Sequence, residues 1–352
     1  MAKNCQLIDP LAGEVSSVSA GDSNYNDLPH CTWPEKMKIL RLTGVALALS
    51  LPCVAQQRAN LPQGTRSVLV NVLDAHGNAV RDLTKEDFRV SVNGKYVPVL
   101  DARYSLAPRR IVVLLDMSGS MTDASSRKWQ IAQHAVDDLL TQTPRDVPIT
   151  LLTFASTVLD VFASSQSRTE IDHWLKEGPG QKPKLKSPRK TALFDAVLQA
   201  LKLLNPVQPG DTIYAITDGE DNASEASAKR TEAALLQADV RLFVFLLNDG
   251  EQVTGEVGEK RYSFLSLVDD SGGFLFGLKR RQTPFRDYVY DRTNMERITT
   301  ETSELNILVL GFWTLDLAPS DLSKKSKLTM ELVRRKPREN LRLIYPRELF
   351  AP

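Results

Sequence analysis

The sequence predicts an α/β fold: a doubly wound, mostly parallel sheet inserted into a small antiparallel β-sandwich that both flanks build. Three observations predict this. In the middle of the chain, apolar runs alternate with helical stretches. On both sides of that region, short alternating strand patterns appear. Each flank is too short to bury a hydrophobic core by itself, so the two flanks need each other.

The central region, residues 109–300, has the pattern of repeated strand–helix units. Continuous apolar runs predict buried strands at 111–115, 149–154, 212–217 and 240–247. Helical spacing of apolar residues predicts helices at 127–141, 192–204 and 227–238. Strands that alternate with helices of this length form right-handed crossovers and a parallel sheet. The strands are apolar throughout because helices cover both faces of such a sheet.

The N-terminal flank, residues 63–106, has the pattern of an antiparallel β unit. Alternating residues predict strands at 66–74 and 88–92, and a further strand region follows at 95–105. Asn93-Gly94 lies between the last two, and this dipeptide between alternating runs is a strong hairpin signal.

The C-terminal flank, residues 303–346, returns to strand patterns at 305–317, 326–335 and 341–346. A doubly wound domain starts its first strand at the end opposite its ligand-binding edge, and its final helix runs back to that end. Both flanks are therefore delivered to one place, and we predict that they pack together as one sandwich.

The first 55 residues differ from the rest. Residues 1–36 show no period, and we interpret them as a disordered upstream extension. Residues 37–55 have the layout of a secretory signal peptide, in which Lys38 and Arg41 precede the apolar core Leu42–Leu51. That core is too short to span a bilayer, although a buried apolar helix is an alternative. We therefore expect a secreted or periplasmic protein with no stable membrane anchor in the mature chain.

Composition narrows the class of protein. The chain has 352 residues, of which 42% are hydrophobic and 25% charged, as is ordinary for a globular protein. The net charge of +1 gives no reason to expect nucleic acid as a partner. The three cysteines, Cys5, Cys31 and Cys53, all precede the main body, which therefore has no thiol chemistry.

Polar residues gather where the predicted strands end. Asp116 follows the first apolar run and is followed by Ser118 and Ser120, and Asp218 ends a later run. Thr191 stands at the start of a predicted helix. Ligands of open parallel sheets bind outside the carboxyl ends of the strands, so these residues are expected at one edge.

Oxygen ligands of this kind suit a hard divalent cation, namely Mg²⁺ or Mn²⁺, with Ca²⁺ also possible. The three hydroxyls are neutral, so they leave the cation most of its charge. Asp116 and Asp218 can orient waters and hydroxyls from behind. The open coordination position would then accept a carboxylate from another molecule. Alternatively, Ser118 and Ser120 merely cap the next helix.

These residues resemble the metal-ion-dependent adhesion site of von Willebrand factor A domains. The family pattern is matched by Asp116-Met117-Ser118-Gly119-Ser120, by Thr191, and by Thr217-Asp218-Gly219. The resemblance implies a doubly wound sheet, a binding role, and contact of the metal with Ser118, Ser120 and Thr191. The N-terminal flank also resembles the leader segment of secreted bacterial proteins with a related domain. Arg189-Lys190 departs from the family, which often has glycine before the threonine.

The leading functional interpretation is a secreted protein-binding module of the adhesion type, in which a divalent cation bridges to an acidic residue of a partner protein. One alternative is an envelope structural or assembly factor whose metal site is vestigial or only stabilises the fold. A cytoplasmic chelatase or AAA-machine adaptor is another, which the signal peptide disfavours. We expect no enzyme, because no phosphate-binding loop or Gly-x-Ser-x-Gly elbow occurs and no general base stands out.

Two neighbouring segments carry further expectations. Glu220 and Asp221 are expected in a solvated turn or helix start. A basic segment before Thr191 is expected to form a positive rim that steers an acidic partner. Its residues are Lys182, Lys184, Lys186, Arg189 and Lys190.

Overall fold

The computed structural model describes residues 62–106, 109–123, 127–162, 167–177, 190–247, 255–277, 292–320, 325–333 and 340–350. The interpretations of residues 1–36 and 37–55 concern segments outside these ranges. None of the helices in the described ranges has the length and hydrophobicity that a membrane crossing requires.

The described elements fall into three consecutive groups. The N-terminal flank forms β1 (Arg66–Leu73), β2 (Phe88–Val92), β3 (Lys95–Val97) and β4 (Val99–Leu106). The central region forms β5 (Ile111–Asp116), α1 (Gly119–Thr122), α2 (Lys128–Gln142), β6 (Ile149–Phe154), β7 (Val158–Phe162), α3 (Ser167–Lys176), α4 (Leu193–Leu203), β8 (Thr212–Thr217), α5 (Ala228–Ala238), β9 (Arg241–Leu246), α6 (Gly255–Ser271), β10 (Leu275–Gly277) and α7 (Arg292–Leu310). The C-terminal flank forms β11 (Gly311–Leu317), β12 (Lys325–Leu332), β13 (Arg342–Ile344) and β14 (Glu348–Phe350).

The central sheet is doubly wound and mostly parallel, as predicted. Its strand order is β10-β9-β8-β5-β6-β7, and β7 runs antiparallel at one edge. Successive residues of β5 explain the continuous apolar run. Val113 and Leu115 pack with α2 and α7, whereas Val112 and Leu114 pack with α4 on the opposite face. Both faces are therefore buried, and neither tolerates polar residues.

The two flanks form one β-sandwich, which confirms the predicted insertion. One sheet has the order β13-β1-β11-β4 and the other β14-β12-β2-β3, so each sheet combines strands from both ends of the chain. Every second residue of these strands points into a shared core. Its larger members are Val68, Val70, Phe88, Val90, Trp313, Leu315, Leu328 and Met330.

The entry and exit of the inserted domain are neighbours in the sandwich. Leu106, the last residue of β4, pairs with Gly311, the first residue of β11. A side chain at Gly311 would collide with Tyr104 and Leu106, so glycine permits this close approach. The Asn93-Gly94 hairpin is also confirmed, with φ of 49° and 77° for its two residues.

The prediction of strand structure from residue 305 is wrong. Residues 305–310 continue α7, and the strand begins only at Gly311. Leu305, Leu308 and Val309 pack against the central sheet as a helical face. A continuous apolar run does not distinguish a buried helix from a buried strand, which explains the error. The inserted domain therefore extends about ten residues beyond the predicted end at residue 300.

Candidate functional site

Two neighbouring parallel strands deliver a carboxylate to the same edge of the central sheet. β5 and β8 are paired so that Leu115 lies beside Ile216. Asp116 therefore ends β5 next to Thr217, and Asp218 follows one residue later. Both carboxylates are almost completely buried, with 0% of Asp116 and 1% of Asp218 exposed.

Asp116 is fixed by hydrogen bonds to both of its carboxylate oxygens. Oδ1 accepts a bond from the backbone N–H of Ser118 at 2.8 Å, and Oδ2 accepts one from Thr217 Oγ1 at 2.6 Å. Thr217 Oγ1 in turn accepts from the N–H of Gly219 at 3.0 Å. Burial raises the pKa of Asp116, and the nearby Asp218 carboxylate raises it further. A positive charge beside these two carboxylates would therefore be stabilised.

Two hydroxyls lie beside this carboxylate. Ser118 Oγ and Ser120 Oγ are 3.1 Å apart, and Ser118 is buried whereas Ser120 is partly exposed. Ser118 is the N-cap residue of α1, but its side chain makes no capping hydrogen bond. The helix-capping alternative therefore does not account for the Ser118 hydroxyl.

Thr191 is held at the same edge by two other loops. Its N–H donates to Asn222 Oδ1 at 2.8 Å, and its carbonyl accepts from the N–H groups of Asn222 and Ala223, each at 3.0 Å. The N–H of Ala192 donates to the carbonyl of Ala155, just after β6, at 2.7 Å. These bonds place the buried Thr191 between the chain that follows β6 and the chain that follows β8.

The prediction that Asp221 lies in a solvated turn is wrong. Asp221 is fully buried, and its Oδ2 accepts hydrogen bonds from the N–H groups of Leu193 and Phe194 at 2.9 and 3.2 Å. These groups belong to the first turn of α4, whose positive dipole end favours a carboxylate. The loop after Asp218 is thereby fastened to the helix that follows Thr191.

Sequence reasoning missed Lys128. Its ammonium Nζ lies 3.2 Å from Asp218 Oδ2, and only 5% of the residue is exposed. Lys128 is the first residue of α2 and follows Arg127, whose φ of +54° is left-handed. Nothing in the pattern of α2 distinguishes this lysine from an ordinary exposed helical lysine.

The basic rim is described only at one position. Lys190 is exposed, directly before Thr191. Lys182, Lys184, Lys186 and Arg189 lie outside the described residues, so the steering role of this segment stays a prediction.

The donor set at this edge fits a hard divalent cation. Asp116 and Asp218 are buried, Asp218 is paired with the Lys128 ammonium, and the hydroxyls of Ser118, Ser120 and Thr191 could supply neutral oxygen ligands. Within the described ranges, no cluster of three or more His, Cys, Asp or Glu side chains is arranged to hold a metal. The edge formed by β5 and β8 differs in kind from such a cluster, because most of its candidate ligands are hydroxyls.

Comparison with known proteins supports the fold assignment. Residues 111–220 match the family profile described as the von Willebrand factor type A domain, and this range includes all five predicted site residues. The chain therefore contains a von Willebrand factor type A domain. A search of curated proteins finds no match.

Several solved structures are similar at low identity. BatB from Bacteroides thetaiotaomicron is 16% identical over 56% of this chain and 98% of its own, with a TM-score of 0.38. A von Willebrand factor type A protein from Catenulispora acidiphila is 12% identical over 77% and 75%, with a TM-score of 0.42. The pilus adhesin SpaC from Lactobacillus rhamnosus GG is 14% identical over 64% and 34%, with a TM-score of 0.40. Similarity this weak carries no information on function.

Proposed function

We propose that this protein is a divalent-cation-dependent protein-binding module. The observation that carries the proposal is the pair of buried carboxylates, Asp116 and Asp218, which two neighbouring strands bring to one edge beside the Ser118 and Ser120 hydroxyls. Two buried carboxylates that perturb each other are both ionised only where positive charge lies nearby. A divalent cation would supply that charge and offer an electrophilic coordination position.

The residues of the site would hold such a cation in two ways, by direct contact and from behind the contacting groups. Ser118, Ser120 and Thr191 would contact it with neutral oxygens. Asp116 already receives hydrogen bonds on both carboxylate oxygens, which suits a role behind the ligands rather than in direct contact. Asp218 would balance the charge from the end of the adjacent strand.

The partner that fits this site is a protein that presents an Asp or Glu side chain. With only neutral protein ligands around it, the cation would keep enough charge to bind that carboxylate strongly. Lys190, and the basic segment before it, would favour the approach of an acidic surface. We propose binding rather than catalysis, and Mg²⁺ or Mn²⁺ as the cation.

The setting that we propose is outside the cytoplasm. It rests on the sequence of residues 37–55, where a basic start, an apolar core and small residues follow in the order of a signal peptide. A secreted or periplasmic site would meet the divalent cations of the medium without a dedicated delivery system.

A second candidate function has one observation in its favour. Lys128 brings an ammonium to 3.2 Å from Asp218, so the chain itself supplies part of the positive charge that the site needs. In that case the protein is a structural or assembly factor of the envelope, and any metal at this edge only stabilises the fold or is no longer used.

Affinity capture distinguishes the two candidates. The purified protein is immobilised and exposed to an envelope extract in Mg²⁺ and in EDTA, beside a Thr191→Ala variant. The binding-module proposal predicts partners that the wild type retains in Mg²⁺ and that both EDTA and the variant release. Partners retained equally in all three conditions would contradict it and favour the structural role.

A further inference from the structure

We propose that Lys128 is a built-in counter-ion that competes with the divalent cation for the negative charge at Asp218, and so sets the metal affinity of the site. The proposal rests on the proposed metal-dependent function. A measurement of metal binding tests the role of Lys128, and no partner protein is needed.

The placement of Lys128 supports this role. Its side chain is 6% exposed and ends 3.2 Å from an oxygen of Asp218, whose side chain is 1% exposed. A lysine that served only solubility would keep its ammonium in water, because burial of an ammonium is costly unless it is paired. Lys128 instead extends its side chain into the site.

The residue directly before Lys128 has an unusual backbone conformation. Arg127 has a φ of +54° and a ψ of 6°, a left-handed conformation that non-glycine residues adopt at a cost. This residue directly precedes α2, which starts at Lys128, and it is exposed whereas Lys128 is buried. Strained residues of this kind persist where the surrounding structure fixes them, often at binding sites.

Charge explains why the ammonium and a metal would compete. Asp116 and Asp218 together carry two negative charges when both are ionised, and Lys128 offsets one of them. A divalent cation that arrives beside Asp218 would neutralise the same carboxylate and would repel the ammonium. Removal of the ammonium charge should therefore tighten metal binding by at least about tenfold. The repulsion between like charges a few ångströms apart in a buried site exceeds the energy that corresponds to a tenfold change in affinity.

The test is a calorimetric titration of Mn²⁺ into the wild type and a Lys128→Met variant, which keeps the length of the side chain but not its charge. Lys202→Met is the control, because it removes an exposed lysine charge on α4 that has no part in the proposed site and leaves Lys128 in place. Lys128→Arg retains the charge and should retain the weak affinity of the wild type. We expect tighter Mn²⁺ binding in Lys128→Met alone.

Thermal unfolding gives a second reading that does not depend on the affinity range of the calorimeter. Without metal, Lys128→Met should melt below the wild type, because Asp218 loses its ion pair. With Mn²⁺, the melting temperature should rise more in Lys128→Met than in the wild type. A smaller or equal rise would overturn the counter-ion role.

The outcomes separate this inference from the proposed function. If the wild type binds Mn²⁺ and Lys128→Met binds it equally or more weakly, the inference alone fails. If neither protein binds Mn²⁺, both fail. If only Lys128→Met binds Mn²⁺, the lysine has replaced the metal in the native protein, which supports the inference and favours the structural role over metal-dependent binding.

Discussion

Arg241 Nη1 donates a hydrogen bond to Asn71 Oδ1 at 2.7 Å, and this bond joins the inserted domain to the sandwich. Asn71 lies on β1, and its Nδ2 donates to the carbonyls of Leu308 and Gly311 at 3.1 and 2.7 Å. Arg241 Nη2 donates to the same Leu308 carbonyl at 3.0 Å. The Leu308 carbonyl, in the last turn of α7, is thus bonded by side chains from both domains.

Replacement of Asn71 by alanine should destabilise the inserted domain and the sandwich together. The change removes three hydrogen bonds and leaves the buried Arg241 guanidinium and two carbonyls with fewer partners, at an expected cost of about 3 kcal/mol in the free energy of unfolding. Chemical denaturation measures this. Asn78→Ala, in an exposed turn of the same flank, is the control and should cost far less. Equal losses would contradict the role of Asn71 as a junction residue.

Thr217→Val should weaken metal binding through Asp116. The Thr217 hydroxyl donates to Asp116 and accepts from the Gly219 N–H, so valine leaves both groups short of a partner. We expect about a tenfold loss of Mn²⁺ affinity, which is typical for residues that orient ligands from behind. Thr212→Val, at the opposite end of β8, removes a buried hydroxyl of similar type and should leave the affinity unchanged. Equal effects of the two variants on Mn²⁺ affinity would show that Thr217 has no specific role in metal binding.

Asp221→Ala should loosen the loop that holds Thr191. Its carboxylate accepts from two N–H groups at the start of α4, and loss of such a cap costs about 1–2 kcal/mol in the free energy of unfolding. Asp221→Asn keeps an oxygen acceptor and should lose less. Hydrogen exchange at the first turn of α4 should quicken in the alanine variant. Unchanged exchange there would show that Asp221 does not cap this helix.

Asp270→Asn should stabilise the protein in a pH-dependent way. Burial raises the pKa of Asp270 to about 6, against 3.8 for its ordinary value. Because the folded state holds this proton more tightly than the unfolded state, stability from this group is present below about pH 4 and is lost as the pH rises to about 6. The asparagine variant avoids that loss. It should therefore be more stable than the wild type by about 1 kcal/mol near pH 7.5, a figure reduced for solvent screening, and no more stable near pH 4. An advantage that is the same at both pH values would contradict this assignment.

The sequence predicted those features that depend on periodicity and on the geometry of a parallel sheet. The apolar runs located β5, β6, β8 and β9 to within about one residue, because strands buried on both faces cannot carry polar residues. The edge that carries Asp116 and Asp218 followed from the rule that parallel strands end together. The joint sandwich followed from the inability of either flank to bury its own apolar face.

The features that escaped prediction depend on side-chain direction or on contacts between distant residues. Lys128 pairs with Asp218 across 90 residues, and it directly follows the left-handed Arg127. Asp221 caps a helix that begins 28 residues earlier in the chain. The apolar run at 305–310 is compatible with a helical face and with a strand, and only its packing against the central sheet distinguishes the two.

The central claim is that a divalent cation binds among the hydroxyls of Ser118, Ser120 and Thr191. Anomalous diffraction from crystals of the protein grown with Mn²⁺ tests it most directly, because manganese is located without reference to any assumed site. We predict one strong peak about 2.1 Å from all three hydroxyl oxygens, with Asp116 and Asp218 behind them. Absence of a peak at this edge, in crystals where the three residues are well ordered, would contradict the account.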